Sequence, residues 1–332
     1  MTRTTVLRLI ATCYTIATVS MLGWIGFGYV NSAPTVLAAV QGASTDSSIV
    51  TAPTATPFVP ALATLPPGIY PNIAANEYVL YDMDNGTVVT HSANLAPVPI
   101  ASTTKLMTAH VTSKYGNMDA VTTVSQTAAT IGGSVCGLKA GEQLTIKNLM
   151  YCMLLPSGND AAHTLAEYVG GILLGAPNAT TDQKTARFVQ AMNAEAARLH
   201  MTSSHYLDPA GLDDNGHSNA IDEAKIASLD FADPNIKNVL DTSDYVVTDV
   251  TGTVNLQLHN SDHLIADEPY PGLIGGKTGF TPAAGHCLVT GATQNGHTLI
   301  AVVLGTDEYD DNASAVQARA LLNFGFQNIV WK

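Results

Sequence analysis

Ser102 and Lys105 stand three residues apart at the start of an apolar, helix-like run. Residues three apart on a helix share a face, so the lysine amine can reach the serine hydroxyl. A serine hydroxyl is a poor nucleophile at neutral pH and needs an adjacent base. A lysine becomes that base only when burial or a second cation lowers its pKa. Ser157 and Asn159 follow on a turn marked by Pro156 and Gly158. There a hydroxyl can relay a proton and a carboxamide can hold a substrate amide. Far downstream, Lys277, Thr278 and Gly279 lie on a strand-like segment. A cation and a hydroxyl beside a residue without a side chain suit an anionic substrate lying along the strand. The backbone N–H groups of Ser102 and Phe280 are the candidate oxyanion donors. Nucleophile, base, proton relay and carboxylate receptor are the parts of a serine acyl-transfer site.

Each motif alone carries little weight. Ser is a common helix cap, Ser92-Ala93-Asn94 repeats the second pattern in a loop, and Lys184-Thr185-Ala186 nearly repeats the third inside a helix. The weight lies in their order and in the helix, turn and strand contexts together.

The elements that must position these groups follow from pattern. Glu77–Tyr81 and Gly86–Thr90 flank Asn85-Gly86 and read as a β-hairpin. Ser102 to about Tyr115 reads as a helix, followed by helices over roughly 145–155, 158–170 and 182–200. A Gly-, Asn- and Asp-rich loop fills 208–219. His286–Thr293 and His297–Thr306 form a second hairpin around Asn295-Gly296, and a last helix spans about 312–326. The expected fold is α+β: an antiparallel sheet flanked by helices, with a helical subdomain inserted and the cleft between them.

Composition narrows the partners. The chain has 332 residues, 46% hydrophobic and 12% charged, with a net charge of -13. Such a chain can bury a core and is too apolar for disorder. Its acidity disfavours nucleic acid and anionic lipid. Arg3 and Arg8 precede an uncharged apolar run from Leu9 to Val30. That run approaches the roughly 20 residues needed to span a bilayer, and its positive flank would stay in the cytoplasm. An uncleaved anchor over 1–30 is expected; the alternative is a signal peptide cut near Ala38 or Ala43. Residues 31–69, rich in Ala, Thr, Ser and Pro, read as a tether, and the folded body as 70–332.

No cofactor or metal is expected: His259 and His263 are four apart, but no Glu follows His259. Cys13 falls in the apolar run. A Cys136–Cys152 bridge is open to an exported protein, but small buried hydrophobes are the favoured reading of Cys136, Cys152 and Cys287.

Over residues 70–332 the chain resembles the low-molecular-mass penicillin-binding proteins, the serine D-alanyl-D-alanine carboxypeptidases. The resemblance is carried by Ala101–Ala109, Leu154–Ala162, Met192-Asn193, Asp208–Leu212 and Gly275–Thr281. It implies a penicillin-recognising serine transferase fold and a peptidoglycan stem peptide ending in D-Ala-D-Ala as substrate, with β-lactams as covalent inhibitors. It also implies Ser102 as nucleophile, Lys105 as its base and Ser157 as relay to the leaving D-Ala. Asn159 would hold the substrate amide, with Lys277 and Thr278 on its terminal carboxylate. Many members carry an Arg-Asp pair after the Gly-Leu loop, where this chain has Ser218-Asn219-Ala220-Ile221-Asp222 and no Arg. Many also end in a β-domain and an amphipathic membrane helix; with the chain stopping at Lys332, the N-terminal run is expected to do the anchoring. The rivals are a β-lactamase or DD-transpeptidase of the same fold, and a catalytically silent wall-binding module. A β-lactamase would need a deacylating Glu, and Glu167 falls inside an expected helix.

Overall fold

The computed structural model describes residues 63–331. Its two ends are tied together: β1 (Ala63–Thr64) pairs antiparallel with Val330–Trp331. Pairing thus starts inside the stretch expected to be tether, ahead of Tyr70. The expected anchor at Leu9–Val30 lies outside the described residues. Among the described residues no helix is long and apolar enough to cross a membrane.

The first hairpin is β2 (Glu77–Asp82) and β3 (Thr87–His91). Gly86 turns it with a φ of +67, a region open to glycine at little cost. A 3-10 turn over Ala101–Thr104 leads into α1 (Lys105–Tyr115). Ser102 therefore sits on the tight turn before the helix, not in its first α-turn as expected. Next come β4 (Val121–Thr123), α2 (Gln126–Ala129) and β5 (Gln143–Thr145). The helical block follows: α3 (Ile146–Leu154), α4 (Asn159–Leu174) and α5 (Thr181–Arg198). The Thr145 hydroxyl caps α3, and Thr180 with Gln183 forms a capping box on α5. Gly175, at φ +60, ends α4.

Residues 220–272, where pattern predicts no particular element, hold α6 (Ala220–Ala232), α7 (Pro234–Leu240), the hairpin β6 (Asp244–Thr248) and β7 (Asn255–His259), and α8 (His263–Ala266). The chain closes with β8 (Leu273–Thr281), β9 (Gly285–Gln294), β10 (His297–Thr306), α9 (Ala313–Asn328) and β11 (Val330–Trp331).

The main sheet runs β3-β2-β10-β9-β8, antiparallel throughout. Successive strand side chains point to opposite faces, and both faces are covered. Val289, Ile300, Val302 and Leu304 join the larger core with α1, α3, α4 and α6. Leu288, Leu299, Ala301 and Val303 pack with Leu321 and Leu322 of α9. Burial on both sides explains why β9 and β10 read as unbroken apolar runs rather than alternating ones. The sheet presents its edge strand β8 to the helical block, and the site forms along that edge.

Cys136 and Cys152 are joined in a disulfide, with Cα atoms 5.3 Å apart, within the usual bridging range. This corrects the reading of both as free buried hydrophobes. Their spacing in sequence gives no hint that the 132–138 loop folds back onto α3. Cys287 is free and buried.

Candidate active site

The Lys105 side chain is fully buried. Its Nζ lies 2.7 Å from Ser102 Oγ, 2.7 Å from Asn159 Oδ1 and 2.8 Å from the Ala210 carbonyl. All three are neutral oxygens. Burial, and then the charge of Lys277, pull the Lys105 ammonium well below the ordinary lysine range; Asp208 and Asp160 oppose this only in part. Lys105 thus combines contact with a hydroxyl and a strong bias toward the free amine, as a base needs.

Lys277 is equally buried. Its Nζ donates to Ser157 Oγ at 3.0 Å and to the Thr278 carbonyl at 2.7 Å. Burial lowers it to about 7, against the opposing charge of Asp262. Thr278 Oγ1 shares a 2.5 Å hydrogen bond with Ser261 Oγ. Ser157 holds a φ of +62, a conformation uncommon for a residue with a side chain.

Close backbone approach assembles the pieces. A Cβ at Gly279 would stand 3.0 Å from the Ser102 nitrogen and 2.9 Å from the Ile100 carbonyl, so β8 runs directly against the nucleophile turn. A Cβ at Gly211 would stand 1.9 Å from the Ala101 carbonyl, so the loop carrying Ala210 closes the other side. Phe280 follows at the rim, half exposed and stacked on His286 at 4.2 Å between ring centres. The resulting cleft, about 430 Å³, is lined by Ser102, Ser134, Ser157, Thr278, Phe280 and His286 among others. All the expected side chains meet here: Ser102, Lys105, Ser157, Asn159, Lys277 and Thr278, with Gly279 supplying the close approach.

The supports were not foreseen. The Asp208 carboxylate accepts the N–H groups of Ala210, Gly211, Leu212 and Asp213 at 2.7–2.9 Å, which fixes the loop whose carbonyl holds Lys105. Asp160 likewise accepts from Cys136, Gly137 and Leu138, each at 2.9 Å. The 132–138 loop then supplies the Gly132 carbonyl to Asn159 Nδ2 at 2.8 Å, and Ser134 Oγ to the Pro156 carbonyl at 2.7 Å. The Asp-Pro-Ala-Gly run is a turn signal that could have marked Asp208; Asp160 carried none.

Glu167 accepts from Ser125 at 2.8 Å and faces a separate groove with Lys184, Thr122 and Tyr168. It is not among the residues lining the Ser102 cleft. Among the described residues no group of acidic, His or Cys side chains is arranged to hold a metal.

A cleft serine on a buried lysine, facing a lysine–threonine strand, defines a serine hydrolase of the acyl-transfer class. A family model for D-alanyl-D-alanine carboxypeptidase matches residues 65–308, and the chain belongs to that family. The D-alanyl-D-alanine carboxypeptidase of Streptomyces strain K15 is 32% identical over 74% of this chain and 86% of its own. DacB2 of Mycobacterium tuberculosis, also a D-alanyl-D-alanine carboxypeptidase, is 33% identical over 77% of this chain and 84% of its own. Among solved structures, the Streptomyces K15 DD-transpeptidase superposes with a TM-score of 0.72 at 30% identity, covering 78% of this chain and 99% of that one.

Proposed function

We propose that the protein removes the terminal D-Ala from peptidoglycan stem peptides through an acyl-enzyme on Ser102. The observation that carries this is the Lys105 Nζ to Ser102 Oγ contact of 2.7 Å in a setting without a paired carboxylate. Neutral Lys105 takes the hydroxyl proton as Ser102 Oγ attacks the carbonyl carbon of the penultimate D-Ala. The oxyanion is received by the N–H groups of Ser102 and Phe280. Lys277 and Thr278 receive the terminal carboxylate, and Asn159 the substrate amide. The C–N bond breaks as the proton held on Lys105 passes to the leaving amine through Ser157, which Lys277 contacts, and Lys105 returns to the free amine. Water then attacks the ester carbonyl, its proton passing to Lys105 and on to Ser102 Oγ as the C–O bond breaks, and the free acid leaves. β-Lactams mimic the substrate amide and stop at the ester.

The enzyme works outside the cytoplasm, on the cell wall. In the same reading, residues 1–30 hold it at the membrane and the Pro-rich stretch spaces the body from it. The support is the Leu9–Val30 run behind Arg3 and Arg8.

Intact mass after brief exposure to benzylpenicillin tests the acyl-serine: a one-to-one adduct is expected, absent in Ser102→Ala. D-Ala release from a D-Ala-D-Ala peptide tests the reaction itself. No adduct together with no release would leave a silent binding module. Because the K15 neighbour is called a DD-transpeptidase, the assay is run with and without an amine acceptor. Transfer outpacing D-Ala release without acceptor would mark a transpeptidase instead.

A further inference from the structure

The loop that walls one side of the cleft is tied down covalently, and the steps above do not use that tie. Residues 132–138 lie against the turn of Ser157, Gly158 and Asn159. The Gly132 carbonyl accepts from Asn159 Nδ2 at 2.8 Å, and the Ser134 carbonyl accepts the Asn159 N–H at 2.8 Å. Ser134 Oγ donates to the Pro156 carbonyl at 2.7 Å. A Cβ on Gly133 would stand 2.7 Å from Asn159 Nδ2, so the loop backbone presses on the carboxamide itself. Gly133 and Ser134 line the cleft with Ser102 and Ser157.

The disulfide reaches the same turn. Cys136 ends this wall and Cys152 belongs to α3. A Cβ on Gly158 would fall 2.6 Å from the Cys152 carbonyl and 2.9 Å from the Cys136 nitrogen. Gly158 is bare because the bridged backbones fill the space of its side chain. The Cys152 carbonyl also accepts the Gly158 N–H at 3.1 Å. The bridged residues thus sit on the middle of the turn that carries the proton relay and the carboxamide.

That placement has a chemical consequence. A carboxamide offers a donor at one end and an acceptor at the other. With Nδ2 held by the Gly132 carbonyl, Oδ1 is the end left to accept from Lys105 Nζ at 2.7 Å. The loop therefore decides which end of Asn159 faces the base. Residues 132–135 are exposed, so packing from outside does not hold them there. Hydrogen bonds to exposed backbone open easily; a covalent link does not.

We propose that the Cys136–Cys152 bridge is a positioning element of the active site: it clamps the 132–138 loop onto Asn159, and the cleft is complete only in the oxidised protein. This rests on the reading of Asn159 and Lys105 as parts of the acyl-transfer site. A disulfide persists in an oxidising space and not in the cytoplasm, so full activity arrives with oxidation after export. A dithiol reverses the step. It cleaves the S–S bond, two electrons and two protons pass to the sulfurs to give two thiols, and the dithiol closes into a cyclic disulfide.

The test compares the oxidised protein, the same protein reduced with dithiothreitol, and Cys136→Ser, each below its thermal transition. Alkylation mapping of the oxidised protein comes first; free thiols at both positions overturn the proposal. Acylation by benzylpenicillin, read by intact mass, should fall about 10- to 100-fold on reduction and return on reoxidation. Cys136→Ser should show the same loss without reductant and no response to it, since Cys287 is free and buried already. KM for a D-Ala-D-Ala peptide should rise while kcat falls, because Asn159 serves both the substrate amide and Lys105. A bridge that only staples the fold would lower the thermal midpoint and leave acylation of the folded protein unchanged, and that result overturns the proposal. If Cys136→Ser loses its thermal transition, Cys152→Ala, a small apolar residue at a buried site, is read in its place. An oxidised wild type that neither takes up penicillin nor releases D-Ala would instead defeat the carboxypeptidase reading, before the redox states are compared.

Discussion

Helix α1 carries Lys105 at one end and Lys114 near the other, about 14 Å apart along the axis, and the two amines are held in opposite states. Lys105 Nζ is ringed by a hydroxyl, a carboxamide and a carbonyl. Lys114 Nζ meets the Glu195 carboxylate at 2.7 Å. The same Glu195 takes Arg198 at 2.6 Å and His110 at 3.0 Å. Lys105 is driven down by burial and by Lys277; Lys114 is driven up, chiefly by its bond to Glu195. Lys114 is also a third exposed while Lys105 is not exposed at all. Desolvation disfavours a charge, and a carboxylate in contact restores it. The helix thus keeps an amine biased toward its neutral form at the cleft and cations at its far end.

Removing the base breaks the comparison most severely. Lys105→Met keeps most of the buried volume and deletes the amine. Acylation by benzylpenicillin should fall by about 10³-fold or more, with stem-peptide binding retained. A rate within tenfold of wild type, by stopped-flow or mass spectrometry, would remove Lys105 from its role.

Asn159→Asp asks whether the partner or the burial sets the difference. It puts a carboxylate where the Oδ1 acceptor of Lys105 now stands, 2.7 Å away, and so gives Lys105 the kind of partner that Lys114 has. The sign follows: a raised Lys105 pKa leaves less free amine at neutral pH, so acylation drops and the acid limb moves to higher pH. A loss of about 10²-fold at pH 7, with the limb up by about one unit or more, is expected. A lower plateau with the limb in place would mean that burial alone governs Lys105.

How much of this was open to a reader of the sequence depends on the range of the interaction. The Asn85-Gly86 and Asn295-Gly296 turns were legible because turn chemistry is local. Ser102, Lys105, Ser157, Asn159, Lys277 and Thr278 were legible as motifs, each within a few residues. The α6 helix was not, because Asp222, Glu223 and Asp230 on it are buried and erase the polar-against-apolar contrast that marks a surface helix. The partners of Asp160 stand 22 to 24 residues back along the chain. Nor does spacing tell a bridged cysteine from a buried one, which is why Cys136 and Cys152 were misread. The motif residues announce themselves by type; the groups that hold them in place do so only once the chain is folded.

The smallest effect on chemistry is expected at the far end of α1. Glu195→Gln leaves Lys114, Arg198 and His110 without their shared carboxylate, and Asp230 remains as a second partner of His110 at 3.3 Å. Glu195 is nearly buried, and Arg198 first, then Lys114 and His110, depress it to about 2 despite the opposing effect of burial. A carboxylate with a depressed folded pKa adds stability that is complete above its unfolded value, about 4.5, and is lost as pH falls toward the folded one, about 2. Charged hydrogen bonds of this kind suggest a loss of about 2–3 kcal/mol at pH 7. Urea melts of both proteins should therefore differ most at neutral pH and converge as pH drops from 4.5 toward 2. Acylation of the folded variant should stay within about twofold of wild type, since the cluster sits more than two helical turns from Ser102. A large acylation defect in folded Glu195→Gln would show that the two ends of α1 are coupled, and the base could then no longer be explained by its own neighbours.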